Sequence, residues 1–139
     1  MTQQDKDLLL KDLCSRLPYG VKVAIELSKD KYTKVYDLRE IDNDSTAELR
    51  QQVTIWNYGL YSSVISYPLI DCRPYLRPMD SMTDEEYDEL CEYAKLNFIG
   101  ESKEIDWLNK KMFDYRGLID KGLAIEITEE NNPYKTELT

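Results

Sequence analysis

The sequence predicts an α+β fold: an N-terminal helix capping a small, bent antiparallel β-barrel, followed by a C-terminal segment of two to three helices. Three observations predict it. Apolar spacing changes from a helical period to strict alternation at Val21. Four β-rich runs then follow, separated by short polar turns, and helical spacing returns behind a capping box at Thr83. The expected organisation is residues 1–78 as helix plus barrel, 79–127 as a helical lobe packed on it, and 128–139 as a flexible tail.

The first helix is expected from about Asp5 to Leu17. Leu10, Leu13, Cys14 and Leu17 fall at i, i+3, i+4 and i+7 and form the stripe to be covered, with Lys11, Asp12 and Arg16 facing water. If a monomer left that stripe uncovered, it would become a homodimer seam. Pro18-Tyr19-Gly20 ends the helix.

Val21, Val23, Ile25 and Leu27 alternate with Lys22, Ala24 and Glu26, as a strand with one buried face does. Ser28 to Lys31 is a polar turn, and Tyr32 to Ile41 is the return strand, where Val35, Tyr36 and Leu38 break alternation and call for a bulge or bend. A third strand is expected over Glu48 to Trp56 and a fourth over Leu60 to Tyr67, joined at Asn57-Tyr58-Gly59. The proline-bearing segment from Pro68 to Pro78 reads as extended or helical-turn material that closes the meander.

In the second half, Thr83-Asp84-Glu85-Glu86 is the capping box of a helix reaching about Leu96, with Tyr87, Leu90, Cys91 and Ala94 inward and Asp88, Glu89 and Glu92 outward. Gly100 breaks it, and Lys103 to Met112 forms a second helix carrying Ile105, Leu108 and Met112 on one face. Asp114 caps a short third helix through Asp120, with Gly122 as its C-terminal glycine. Leu123 to Ile127 is a short strand at the barrel edge, and the polar residues from Thr128 fray.

A helix before a bent barrel, with the alternation from Gly20 to Leu27 and Asp42 after the second strand, resembles the Sm-like and SH3-like barrels. Where Sm proteins carry a base-binding Asn and a later Arg-Gly loop, this chain has Ser45-Thr46-Ala47 and Asn57-Tyr58-Gly59, so the resemblance implies the fold and not the base chemistry. Leu8 to Val23, Arg73 to Met79, Ser81 to Thr83, Asp106 to Lys111 and Phe113 to Ile119 are also similar to a set of small proteins encoded in gut bacterial and bacteriophage genomes. That second resemblance implies a phage-borne or mobile-element setting rather than a mechanism.

The 139 residues contain no histidine, which removes Ser-His-Asp and Cys-His hydrolysis and His-ligated metal catalysis from what one chain can do. A net charge of −9 argues against nucleic acid as principal partner, because phosphate affinity comes from clustered cations. Cys14, Cys72 and Cys91 form no ligand pair and read as small buried residues. Asp42, Asp44 and Thr46 imitate the start of a calcium loop, but its sixth place is Ala47 and its twelfth Val53. With no phosphate-binding or nucleophile-elbow motif either, no cofactor, metal or enzymatic activity is expected. The opening is charged on both sides of its leucine run, so neither a membrane span nor a secretory signal is expected, and the compartment is expected to be the cytoplasm.

Two surfaces remain as candidates. Arg73 and Arg77, four apart beside Tyr75, with Trp56 and Tyr58 nearby in the barrel, have the types that hold a small anion such as a nucleotide. From Asp80 to Glu92 there are seven carboxylates and no cation, and Glu85, Glu86 and Glu89 are the candidates there for docking a protein. The expected function is a non-catalytic module binding a host protein, with a sponge for a signalling nucleotide in counter-defence as the alternative.

Overall fold

The structure, a computed structural model, describes residues 2–25, 35–43, 51–57, 64–95 and 103–134. Helix α1 (Gln3–Arg16) starts two residues before the expected Asp5 because Thr2 caps it. Thr2 Oγ1 accepts from the Asp5 amide at 3.1 Å, and the Asp5 carboxylate accepts from the Thr2 amide at 3.3 Å. Gly20, in the left-handed region at φ 75°, closes the turn that follows, where a side chain would be strained.

The covered face of α1 corrects the expected one. Leu9, Asp12, Leu13 and Arg16 are buried, whereas Cys14 is exposed and Leu10 and Leu17 are half-buried. Hydropathy puts Asp12 and Arg16 in water, but at i and i+4 they pair with each other and enter the core together. The leucines pack on the core of the same chain, so the stripe proposed as a dimer seam is covered internally.

Strands β1 (Lys22–Ile25), β2 (Val35–Asn43), β3 (Gln51–Asn57) and β4 (Val64–Pro68) form an antiparallel meander. Between Leu38 and Glu40 the register of β2 against β3 shifts by one residue, the bulge that the broken alternation called for. The turn expected at Ser28 to Lys31, Tyr58 and Gly59 of the turn expected at Asn57 to Gly59, and the first residues of the third and fourth strands lie outside the described residues, while Asn57 is the last residue of β3 and pairs with Tyr36. The proline segment contains β5 (Cys72–Leu76), which pairs antiparallel with β1 through Cys72 to Pro74 and then parallel with β6 (Ile125–Glu126) through Tyr75 and Leu76.

The sheet is therefore six-stranded and open, in the order β4-β3-β2-β1-β5-β6, and this corrects the expectation of a closed barrel. No ladder among the described residues joins β4 to β5 or β6, because the second half of β5 is spent on β6. The sheet is nonetheless bent. Only Leu69–Asp71 separate β4 from β5, and four Cα steps reach at most about 15 Å. Four strand spacings in a flat sheet would be about 19 Å, so the β4 edge must curl toward β5.

After β5 come a 3-10 turn (Met79–Ser81), α2 (Asp84–Lys95) and α3 (Lys103–Lys110). Helix α3 ends in a Schellman pattern: the Phe113 amide donates to Leu108 O at 3.0 Å and the Met112 amide to Asn109 O at 3.1 Å. The left-handed residue is Met112, at φ 63°, not a glycine; its side chain is buried in the main core. In place of the expected third helix, residues 114–122 form turns. Asp114 Oδ1 and Oδ2 accept from the Leu118 and Ile119 amides at 2.8 and 2.9 Å, and Gly122 at φ 72° closes the turn. Asp114 therefore satisfies amides of a turn, and the helix it was expected to cap does not form.

The main core mixes residues from both expected lobes: Leu9, Leu13, Val21, Val23, Ile25 and Leu76 pack with Met112, Leu118 and Leu123. The expected tail is tied down as far as Tyr134, whose hydroxyl accepts from the Lys22 amide at 2.9 Å and donates to Tyr75 O at 3.0 Å. That hydroxyl bridges the backbones of β1 and β5 from more than fifty residues away, a contact that hydropathy does not register.

Between α1 and the α3 end lies a buried ionic network. Asp12 and Arg16 are both fully buried. Asp12 Oδ2 accepts from Arg16 Nε at 2.9 Å and Oδ1 from Arg116 Nη1 at 2.8 Å. Arg16 also donates to the carbonyls of Leu108 and Phe113, at 3.5 and 2.5 Å, which are carbonyls at the end of α3 where positive charge is favoured. The Arg116 guanidinium sits 4.5 Å from the Tyr115 ring centroid and that of Arg16 5.4 Å. Removing the carboxylate would leave two guanidinium groups uncompensated in the interior. Asp12→Ala is therefore expected to cost about 3–5 kcal/mol, and Lys11→Ala, on the exposed side of the same turn, at most about 0.5 kcal/mol. Urea denaturation of the two variants checks this; equal midpoints would contradict it.

Candidate functional site

Helix α2 forms where the sequence provides its cap: Thr83 Oγ1 accepts from the Glu86 amide at 3.1 Å, and the Glu86 carboxylate accepts from the Thr83 amide at 3.0 Å. Its contact with the rest of the protein runs through Glu86, Leu90 and Tyr93, at i, i+4 and i+7, and none of its residues is fully buried. Leu90 and Tyr93, with Met82, cover a second core of Trp107, Leu108 and Phe113, in which the two rings stack at 5.6 Å. The expected inner face is thus rotated: Tyr87 is 59% exposed and Ala94 exposed.

Arg77 causes the rotation. Its Nη1 and Nη2 donate to Glu86 Oε2 and Oε1, both at 2.7 Å, a bidentate pair. Nη2 also donates to Ser81 O at 3.1 Å, and the guanidinium lies 4.2 Å from the Phe113 ring centroid. The backbone of Arg77 bridges to Met112 O and from the Asp114 amide at 2.7 and 2.8 Å. One residue thereby fastens the end of β5, the 3-10 turn, α2 and the α3 terminus.

Between the 3-10 turn and the first two turns of α2 this arrangement leaves an open hollow of about 380 Å³. Met79, Met82, Tyr87 and Leu90 supply its apolar wall, and Asp80, Thr83 and Asp84 its polar rim. Sequence reasoning missed it because Tyr87 read as an inward residue. The signal present was the pair Met79 and Met82 around a turn set by Pro78 and ended by the Thr83 cap.

The residues proposed for an anion are not brought together. Four residues along a strand span about 13 Å, so Arg73 and Arg77 serve opposite ends of β5. Arg73 Nη1 donates to Ile70 O at 2.6 Å and Cys72 O at 3.0 Å. Arg77 is engaged by Glu86, and Tyr75 is buried in the wall of the sheet. Trp56 pairs with Asp37 and Val64 in the ladder, toward the opposite edge from β5, and Tyr58 lies outside the described residues. Of the proposed docking carboxylates, Glu85 and Glu89 are exposed and Glu86 is an anchor.

Asp80, Asp84, Glu85, Asp88 and Glu89 have no cationic partner among the described residues; Glu92 lies 3.8 Å from Lys95. No group of three or more potential metal-ligating side chains occurs among the described residues. Asp42 lies in β2, and Asp44 to Ala47 fall outside the described residues. Cys72 is buried, which pushes its thiol up to about 12 with the neighbouring Asp71 adding to the effect, so it carries little thiolate near neutral pH. Cys14 is exposed and Cys91 half-buried, against the expectation that all three would be buried. No described helix is long and apolar enough to cross a membrane. Comparison with known protein families, curated proteins and solved structures gave no match.

The hydrogen bonds from Arg77 hold the Glu86 carboxyl down at about 2, against a usual 4.5, with Thr83 adding to the effect and partial burial opposing it. Because the folded-state value is depressed, the stabilisation is complete above about pH 4.5 and disappears as pH falls toward 2. The stability gap between the native chain and Glu86→Gln, measured by urea denaturation from pH 6 downward, is expected to shrink across that window. A gap independent of pH would contradict the pairing.

Proposed function

We propose that the chain is a non-catalytic binding module that acts by protein–protein interaction, with the outward face of α2 as its contact surface. One observation carries the reading: α2 is held by Arg77 and a narrow apolar edge, while five carboxylates on or beside it form no ion pair among the described residues. Asp84–Asp88 and Glu85–Glu89 are like charges at i, i+4, each destabilising an isolated helix by about 0.2–0.5 kcal/mol. Acids in the first turn suit the helix dipole, but Asp88 and Glu89 lie beyond it. A structural role for α2 does not call for that repulsion; recognition of a cationic surface does.

Sheet order supports reading the N-terminal half as a variant of the SH3/Sm-like arrangement, a meander whose fifth strand returns beside the first after a short 3-10 turn. Such scaffolds serve many functions, so the fold does not choose the partner. In the phage-borne or mobile-element setting that the sequence resemblance implies, the partner is a host protein in the cytoplasm.

Immobilised native chain is expected to retain a stoichiometric protein from a bacterial lysate, and the Glu85→Lys/Glu89→Lys variant to lose it. Both positions are exposed, so the variant's stability should stay within about 0.5 kcal/mol of native. Equal retention by both forms, or turnover of a substrate by the pure chain at enzyme-like rates, would overturn the reading.

A further inference from the structure

We propose that the hollow between the 3-10 turn and α2 is the seat for an apolar side chain of a basic amphipathic segment in the partner protein, its lysines or arginines meeting the α2 carboxylates. This rests on the reading of the chain as a protein-binding module and names what that module recognises.

Size and lining come first. A dry cavity of about 150 Å³ already admits benzene, so about 380 Å³ has room for an aromatic or two aliphatic side chains. Met79 is 40% exposed and Tyr87 59%, so two large apolar groups stand at the mouth with nothing over them among the described residues. Methionine adapts its shape to different incoming side chains at little cost. Arg77 also ties the two elements that form the hollow, the 3-10 turn through Ser81 O and α2 through Glu86.

Charge selects the occupant. Asp80 and Asp84 are on the rim, and Glu85, Asp88 and Glu89 extend the acidic field along the helix. A second copy of this chain, at net charge −9, would bring repulsion, and nucleic acids and anionic lipid surfaces carry the same sign. A segment with apolar residues at helical spacing and cations around them satisfies both the wall and the rim.

The probe is a synthetic helical peptide with leucine at i, i+3, i+4 and i+7 and lysine elsewhere. Two controls accompany it: one with each leucine replaced by alanine, one with each lysine replaced by glutamate. Affinity is read by fluorescence anisotropy and position by methionine methyl NMR. Burying one leucine contributes about 1.5–3 kcal/mol, so the alanine control is expected to bind at least about tenfold more weakly, and the glutamate control not to bind. The Met79 and Met82 methyl resonances are expected to move while that of Met112, closed in the main core, stays. Tyr87→Ala, at an exposed position, should weaken the leucine peptide by about tenfold.

Binding of the alanine control within about twofold of the leucine peptide, or binding that leaves the Met79 and Met82 methyls unmoved, overturns the proposal. If the chain retains a lysate protein through Glu85 and Glu89 but fails these peptide criteria, the hollow is wrong and the binding module stands. Seating of the peptide in a chain that retains no protein has the opposite meaning.

Discussion

A single carboxylate, that of Asp12, sets the terms for the rest of the molecule. Buried between Arg16 and Arg116, it is shared by the first helix and the segment after α3, which are about a hundred residues apart in sequence. Two guanidinium groups in an interior are tolerable only when their donors are met, and here they are met by Asp12, Ser15 Oγ, the Leu108 carbonyl in the last turn of α3 and the Phe113 carbonyl just beyond it. Leu9 and Leu13 of the first helix and Leu118 of the later segment belong to the same buried core.

The same pattern of use explains the surface. Arg16, Arg73, Arg77 and Arg116 all direct their guanidinium groups to partners within the chain, closing turns, helix ends and the core. In a protein with only 18 cationic residues against 27 anionic ones, that internal use leaves Asp84, Glu85, Asp88 and Glu89 of α2 without a cationic partner among the described residues. Fold and proposed recognition therefore share a cause. The arginine that holds α2 by Glu86 also orients Glu85 and Glu89 outward and shapes the hollow beside them.

Local signals were legible in the sequence and long-range pairings were not. The Thr83 cap, the alternation at Val21 to Ile25, the bulge near Leu38 and the positive φ of Gly122 are each decided by neighbours within a few residues. Asp12 and Arg16 were assigned to water because their compensation comes from Arg116 and from carbonyls at the far end of the chain. The closed barrel failed for a similar reason: the pairing of β5 with β6 depends on two residues, Ile125 and Glu126, that follow both later helices. At the candidate site, the acidic run was visible but its geometry was not. Helical spacing placed Tyr87 inward, whereas the Arg77–Glu86 pair and the packing of Leu90 and Tyr93 on the second core leave it outside, lining the hollow.

If Asp12 joins the two ends of the chain into one core, they should open together. Native-state hydrogen exchange reads this directly, since each amide reports the free energy of the opening that exposes it. Amides at Leu13 and Arg16 in α1 and at Leu118 and Leu123 beyond α3 are expected to exchange through one opening, with a common free energy and a common response to urea. Slow exchange at Leu118 and Leu123 while α1 opens separately and at lower free energy would contradict the account.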